Sequence, residues 1–217
     1  MRAFMYGILV VSALASVAKS APISESELKN LLAAIRQNRT TQADFQEQRV
    51  IRLMKKPVVS SGAVWFQPAN KFRREVKGTS PSITVSDGRE LWIYYPNFKS
   101  AERYPLGKGS PLDATVAAIN SALNLENIET SFNISATKSD TGHELALLPR
   151  TAAMKRVFQK LDLRINDKFR VERTDMLLPN GDRIATAYSN QTRAPIPPST
   201  FEFKPPSGTE VTTPLGQ

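Results

Sequence analysis

The stretch that decides the fold is SITVSDGRELWIYYP, residues 82–96. It predicts a β-hairpin, because a short apolar strand leads into Asp87-Gly88, a pair that favours a tight turn, and a second apolar strand follows. Both alternating sets of side chains in this second strand are apolar, with Leu91, Ile93 and Tyr95 on one face and Trp92 and Tyr94 on the other. Such a strand fits a curved sheet with large side chains on its inner face and the chain's own segments over part of its outer face. An ordinary core on both faces is the alternative.

Nine further short runs predict more strands, since each combines apolar residues with glycine, proline or other turn residues at its ends. They are Phe45–Met54, Ala63–Phe66, Phe72–Val76, Ser131–Thr137, His143–Leu148, Lys160–Asn166, Phe169–Leu177, Arg183–Ser189 and Thr200–Phe203. The pair Asn180-Gly181 predicts another tight hairpin turn. The spacing as a whole predicts an antiparallel meander of about eleven strands.

Two amphipathic helices are predicted beside the strands. The first spans about residues 24–37, where Ser24 and Glu27 form a capping box ahead of an apolar stripe consisting of Leu28, Leu31, Leu32 and Ile35. The second begins at Ser110-Pro111, and its stripe consists of Leu112, Val116, Ile119 and Leu123. A short helical turn is predicted after Pro149. Two helices cannot cover both faces of so large a sheet, so we predict an α+β, mainly β fold with the helices packed into its concave side.

Residues 1–20 have the pattern of a cleaved signal peptide, because Arg2 precedes the apolar run Ala3–Ala18 and small residues follow. We expect cleavage after Ser20, with Ala18 as the alternative, and a single soluble domain over residues 21–217. The chain contains no cysteine, which excludes disulfides, thiolate metal sites and the lipid-modified cysteine of a lipoprotein. These features favour bacterial export to the periplasm.

The chain is basic, with a net charge of +9. Removing Arg2 and Lys19 with the signal leaves 9 − 2 = +7. The cations are scattered among acids, which indicates a solvated basic surface, and a face for acidic partners or anionic lipid headgroups is the alternative. Nucleic acid is not expected as a partner outside the cytoplasm.

Few groups in the sequence are suited to catalysis, and we predict a protein that is not an enzyme and needs no metal or cofactor. The single histidine, His143, lacks partners for a metal site or a triad. Asp140-Thr141-Gly142 resembles an aspartic-protease triplet but occurs once, in a polar turn. Ser135 and Lys138 have a serine-x-x-lysine spacing, but they lie in a predicted strand instead of at the start of a helix. The distinctive residues are apolar, which favours a cavity for a hydrophobic ligand.

Five pieces of the chain, in their order, resemble the periplasmic outer-membrane lipoprotein carrier family, LolA. They are the leading helix, then Asp44–Gln48, then Ser61-Gly62 with Gln67-Pro68 and Asn70–Arg73, then Val85–Pro96, and finally Phe201–Val211. Together they span nearly the whole of residues 21–217. The resemblance implies an unclosed antiparallel β-barrel with a helical lid over a hydrophobic cavity.

The resemblance also implies a function. Members of the LolA family are chaperones that bind the acyl chains of lipoproteins released from the inner membrane and carry them to the outer membrane. The implied partners are lipid-modified proteins as cargo, the inner-membrane transporter that releases them and an outer-membrane acceptor, and a monomer is expected. One fatty chain of about 15 methylenes leaves on the order of 12 kcal/mol of apolar surface in water, which a chaperone must cover. A carrier of another amphiphile, such as a glycolipid or free lipid, and a non-transporting sensor of lipoproteins are the alternatives.

Three sets of site residues follow from the stripes and the resemblance. The lid candidates are Leu28, Leu31, Leu32, Ile35, Val116, Ile119 and Leu123. The wall candidates, which we expect to line the cavity, are Trp65, Phe72, Ile83, Val85, Trp92 and Tyr94, and Phe72 matches a cavity-edge phenylalanine of the family. Where the family usually has an arginine that latches the lid to backbone carbonyls of a helix, this chain has Gln67. Glutamine has fewer donors and no charge, so the latch candidates are Gln67 and the nearby Arg73 and Arg74.

Overall fold

The computed structural model describes residues 21–67, 71–106 and 128–214. Within these ranges, thirteen strands form one sheet. The strands are β1 Ala21–Pro22, β2 Gln42–Val50, β3 Val58–Gln67, β4 Lys71–Lys77, β5 Ser82–Asp87, β6 Glu90–Tyr95, β7 Ser100–Pro105, β8 Phe132–Ser139, β9 Gly142–Pro149, β10 Lys160–Ile165, β11 Val171–Leu177, β12 Arg183–Thr192 and β13 Glu210–Thr212. The helices are α1 Glu25–Gln37, α2 Ile128–Ser131 and α3 Ala152–Val157, and 3₁₀ helices span Pro96–Phe98 and Pro198–Phe201.

The sheet is antiparallel over most of its width and does not close on itself. Its strand order is β1-β8-β9-β10-β11-β12-β2-β3-β4-β5-β6-β7-β13, so that the short strands β1 and β13 form its two edges. β13 lies parallel to β7, and β12 pairs with β2 to join the two halves of the chain. The predicted fold class, a mainly β open antiparallel barrel with few helices, is therefore confirmed.

The hairpin at residues 82–96 forms as predicted, with β5 and β6 paired from Ile83–Tyr94 to Ser86–Leu91. Gly88 in the turn has a φ of 92°, which residues with a Cβ rarely adopt. Asp87 Oδ1 accepts hydrogen bonds from the backbone N–H groups of Arg89 and Glu90 at 2.7 and 2.8 Å. Partial burial by itself raises the pKa of Asp87, but these backbone hydrogen bonds hold it below its ordinary value. The turn is thus specified by neighbouring residues.

Helix α1 also forms as predicted. Ser24 Oγ accepts a hydrogen bond from the Glu27 backbone N–H at 3.3 Å, and the Glu27 carboxylate accepts one from the Ser24 N–H at 2.8 Å, which completes the capping box. The short helical turn predicted after Pro149 is α3, whose first turn is capped by Thr151. The predicted second helix, beginning at Ser110, and the predicted signal peptide, residues 1–20, lie outside the described residues. No helix within the described ranges is long and apolar enough to cross a bilayer.

The structure corrects two strand predictions and adds three strands, β1, β7 and β13, that were not predicted. Thr200–Phe203 is not a strand: a 3₁₀ helix covers Pro198–Phe201, because consecutive prolines lack the N–H groups that a ladder needs and have φ values suited to a helical turn. The run Phe45–Met54 is strand only as far as Val50, beyond which the Met54 N–H donates to the Ile51 carbonyl and turns the chain. β7 was not predicted, since its charged residues hide the apolar alternation that marks a strand.

Candidate functional site

The two faces of the sheet are covered by different parts of the chain. We call the face on which α1 packs the inner face and the opposite one the outer face. Leu31, Leu32 and Ile35 of α1 are buried, and Leu28 is partly buried. They pack in one apolar cluster with residues of β8, β9 and β10, namely Phe132, Ala136, Leu145, Leu147, Leu161, Leu163 and Ile165. The first helix therefore covers one half of the inner face with the stripe predicted for it.

The inner face carries a second apolar cluster on the other half of the sheet. Side chains of directly paired residues share a face, and a row of such pairs runs through Leu163, Thr174, Thr186 and Glu47 of β10, β11, β12 and β2. Phe45 lies two residues from Glu47 and so points the same way. The second apolar cluster surrounds it, and its buried members are Ala43, Phe45, Val64, Phe66, Phe72 and Leu91.

Five of the six wall candidates lie on the outer face. Trp65, Val85 and Trp92 form one row across the strands with Arg73, and Ile83 pairs with Tyr94 in the neighbouring row. Phe72 is the exception: it pairs with Phe66 and Ser86 on the inner face and is 3% exposed. The structure thus does not bring the six residues together around one cavity, because strand neighbours alternate between faces.

The outer aromatic residues are covered by a segment from near the C-terminus. The ring of Phe203 lies 5.6 Å from the rings of both Trp92 and Tyr94. Phe201 is buried, and the 3₁₀ helix that contains it contacts β4 and β5. The two apolar sets of β6 therefore have different surroundings, since Leu91 faces inward while Trp92 and Tyr94 lie beneath the chain's own segment.

The three latch candidates are also separated. Gln67 ends β3 on the outer face, with its Oε1 buried and without a hydrogen-bond partner in the structure. Arg73, also on the outer face, donates from Nη1 to the Thr200 carbonyl at 3.2 Å. Arg74 points to the inner face, and neither it nor the other two has a described hydrogen bond to α1.

The surroundings of Arg74 combine charge with apolar surface. Its guanidinium carbon lies 4.4 Å from the centre of the Phe45 ring. Its Nη2 lies 2.9 Å from Glu47 Oε2, an ion-pair distance without hydrogen-bond geometry. Burial raises the pKa of nearby Tyr188, an effect that a hydrogen bond with Thr174 and the charge of Arg74 partly oppose. Arg74 therefore places a cation inside the second apolar cluster.

Among the described residues, a small cavity lies between the C-terminal end of α1 and the sheet. It measures about 40 Å³, and its lining includes Ile35, Ala43, Phe66 and Tyr188. That volume holds about three water molecules, at roughly 10–15 Å³ for each. A fatty chain of about 15 methylenes is several times larger, so it can reach the sheet here only if α1 moves.

Two residues considered for catalysis, His143 and Asp140, lie in the hairpin formed by β8 and β9. The His143 ring lies 6.3 Å from that of Phe169, and its Nδ1 is buried without a hydrogen-bond partner. Burial, with a contribution from Lys138, holds the pKa of His143 below its ordinary value, and Glu27 opposes this in part. Asp140 lies in the β8–β9 turn, as predicted. No group of three potential metal ligands occurs within residues 21–67, 71–106 and 128–214.

An unclosed sheet with an apolar inner face beneath an amphipathic helix defines an open-barrel protein with a helical cover. The chain belongs to the family described as outer membrane lipoprotein carrier protein LolA, whose sequence profile matches residues 36–204. This confirms the resemblance carried by the ordered motifs.

Individual relatives match over most of their length. The chain is 27% identical to the outer-membrane lipoprotein carrier protein of Chromobacterium violaceum, over 95% of this chain and 97% of that one. It is 30% identical to the protein of the same name from Methylibium petroleiphilum, over 70% and 72%. An uncharacterized conserved protein from Thermus thermophilus has the same fold, with a TM-score of 0.52 and 16% identity over 86% of this chain and 99% of that one.

Proposed function

We propose that the protein is a periplasmic chaperone that binds the acyl chains of lipoproteins released from the inner membrane and carries them to the outer membrane. Membership of the LolA family and the names of its relatives support lipoprotein carriage. The observation that carries the proposal is the pair of apolar clusters on the inner face, one under α1 and one around Phe72. The partners in this role are an inner-membrane transporter as donor and an outer-membrane acceptor.

The acyl chains bind between α1 and the inner face. Of the wall candidates, Phe72 is in place for this contact, and it is joined by Phe45, Phe66 and Leu91, which were not among the wall candidates. The outer-face candidates Trp65, Ile83, Val85, Trp92 and Tyr94 serve instead as the surface on which the Phe201–Phe203 segment packs. The lid candidates of α1, Leu28, Leu31, Leu32 and Ile35, exchange contacts with the sheet for contacts with the cargo. Val116, Ile119 and Leu123 remain lid candidates outside the described residues.

The energies allow both capture and release. Moving α1 away exposes Leu31, Leu32 and Ile35, at about 1.5–3 kcal/mol for each fully buried side chain. Covering one fatty chain gains on the order of 12 kcal/mol at about 0.8 kcal/mol per methylene. The gain from binding therefore exceeds the cost of opening, and that cost reduces the apparent affinity for cargo to the intrinsic affinity multiplied by the population of the open form. A carrier that must hand its cargo on benefits from this reduction.

We assign the latch role to Arg74, because it alone among the three latch candidates lies on the inner face. Its contacts with Phe45 and Glu47 place the cation where a chain entering the second cluster must pass. Arg73 is bound to the Thr200 carbonyl on the outer face and fixes the C-terminal segment instead. The two neighbouring arginines thus provide a matched pair for experiments.

Photo-cross-linking in the native host tests the proposed site directly. A photoreactive phenylalanine derivative replaces Phe72 in one variant and Trp92 in a matched variant, so that an aromatic side chain is exchanged on each face. We expect lipoprotein adducts from position 72 and none from position 92. Adducts from position 92 alone would place the cargo on the outer face and refute the proposed site.

Native mass spectrometry of the protein from the periplasm of its host identifies the cargo class. A bound acylated polypeptide that is lost in Phe72→Glu supports lipoprotein carriage. A bound glycolipid or free lipid in its place supports a carrier of another amphiphile. A reconstituted release assay with inner-membrane vesicles then separates transport from sensing, since a sensor does not release lipoproteins from the membrane.

A further inference from the structure

The hairpin that joins β2 to β3 exposes five apolar side chains within ten residues. Leu53 at its turn is 97% exposed. The other four are Val50, Met54, Val58 and Val59. Single exposed apolar residues are common on soluble proteins, whereas several on one hairpin indicate a contact surface.

The same hairpin is strongly basic. Its cations are Arg49, Arg52, Lys55 and Lys56, and no acidic residue occurs from Arg49 to Ser61. The carboxylate that faces its base is Asp182, which accepts a hydrogen bond from the Arg52 backbone N–H at 3.1 Å and lies 3.9 Å from Arg49. Lys55 and Lys56 are exposed beside Leu53. The tip therefore presents aliphatic side chains flanked by lysines.

The tip is held in place by the protein. The Met54 N–H donates to the Ile51 carbonyl at 2.9 Å, which closes the turn. The Arg52 side chain packs over Gly181, where a Cβ would lie 2.6 Å from Arg52 Cδ. The pairing of β3 with β4 ends at Ser61, so the hairpin extends beyond the neighbouring strand. Its exposed residues are thus displayed on a supported projection.

Another turn at the same end of the sheet also exposes an apolar residue. The β2–β3, β4–β5 and β6–β7 connections share this end because successive strands are antiparallel. Phe98 in the β6–β7 turn is 79% exposed and is followed by Lys99. Asn97 Nδ2 donates to the Thr79 carbonyl at 2.9 Å, which ties this turn to the β4–β5 connection. One end of the sheet therefore carries two apolar and basic turns.

We propose that this end of the protein contacts the surface of an anionic phospholipid bilayer, with Leu53 and Met54 entering the headgroup region and Lys55 and Lys56 bound to lipid phosphates. Aliphatic tips flanked by lysines have the chemistry of interfacial lipid binding. Lysine is depleted in protein–protein interfaces, and Lys55 and Lys56 flank the exposed Leu53 and Met54, which favours lipid over a protein partner here. The contact does not depend on the proposed cargo.

Sedimentation with vesicles tests the proposal on the full mature protein. We expect binding to phosphatidylglycerol-containing vesicles that weakens with salt, and little binding to pure phosphatidylcholine vesicles. Each lysine near an anionic surface contributes about five-fold in binding, so reversing both in Lys55→Glu/Lys56→Glu weakens it by at least about twenty-fold. Lys168→Glu, an exposed lysine in the β10–β11 turn at the other end, is the single-charge control and changes binding by less than about five-fold.

A fluorescent variant separates insertion from charge attraction. Leu53→Trp replaces a residue that is almost fully exposed, so folding is unaffected, and its emission should shift to the blue with anionic vesicles. Leu53→Ser should weaken vesicle binding at least about five-fold with unchanged circular dichroism. The proposal is overturned if the protein does not bind anionic vesicles, or if neither Lys55→Glu/Lys56→Glu nor Leu53→Ser weakens that binding. A cross-link from position 53 to a membrane protein without any vesicle binding also overturns it, in favour of a protein docking site.

Discussion

Truncation of Phe203 tests the division of the sheet into two faces. The Phe203 ring lies 5.6 Å from the rings of both Trp92 and Tyr94, and the side chain is half-buried. Burying a phenylalanine contributes about 1.5–3 kcal/mol, and each aromatic pair adds about 0.5–1.5 kcal/mol. Allowing for its partial exposure, we expect Phe203→Ala to lower the free energy of unfolding by about 2–3 kcal/mol. For a chain of this size that corresponds to a decrease in Tm of roughly 5–10 °C.

Thermal unfolding followed by circular dichroism measures this decrease, and fluorescence locates it. In a Trp65→Phe background the remaining tryptophan is Trp92, whose emission should shift to the red when Phe203 is removed. Phe98→Ala is the control, because Phe98 is 79% exposed and its truncation should change the stability by less than about 0.5 kcal/mol. Cargo binding should persist in Phe203→Ala. An unchanged Tm together with unchanged Trp92 emission would show that the C-terminal segment does not cover the outer face.

Three further predictions concern the inner face, the Asp87 turn between β5 and β6, and the close approach of β3 to β4 at Gly62. Arg74→Gln removes a cation that an acyl chain entering the second apolar cluster must cover beside Phe45 and Glu47, so it should raise the affinity for a fluorescent acyl probe about five-fold, or by about 1 kcal/mol, whereas Arg73→Gln should lower Tm without changing that affinity. The folded-state pKa of Asp87 is lowered, so its contribution to stability is present above the unfolded pKa of about 3.9 and is lost as the pH falls through the lower folded value. The urea midpoints of wild type and Asp87→Asn should therefore differ at pH 7 and converge on acidification. Gly62→Ala places a Cβ 1.7 Å from the Glu75 carbonyl oxygen and should lower the free energy of unfolding in urea by more than about 2 kcal/mol. Gly78→Ala is the control, because the space around its Cβ is open but φ is 108°, so it should lower the free energy of unfolding only through backbone strain.

Local elements of the fold were predictable because their causes lie within a few residues. Ser24 and Glu27 cap α1 through contacts three residues apart, and the Asp87 carboxylate holds its own turn. β7 was missed because its pairing with β6 outweighs its polar composition. Thr200–Phe203 was misassigned because an apolar run next to prolines has the composition of a strand without its hydrogen-bonding capacity.

The candidate site was predictable in kind but only partly in position. The apolar stripe of α1 identified Leu31, Leu32 and Ile35 correctly as buried residues, since helical periodicity defines a single face. For a strand the period of two defines two faces and does not say which is inside. Phe45 and Phe66 lie on the inner face with Phe72 but on neighbouring strands, so alternation along the strand of Phe72 does not identify them without the register between strands.

The sequence by itself determined the capped helix, the hairpin turns, the mainly β composition and the family. These depend on short-range hydrogen bonds, backbone preferences and the order of motifs along the chain. Only the tertiary structure decided that Phe72 and Leu91 lie on the inner face while Trp92 and Tyr94 contact Phe203, and that Arg73 and Arg74 point to opposite faces. The physical reason is that the inner side of a curved sheet is chosen by the segments that pack on it, and those segments come from opposite ends of the chain.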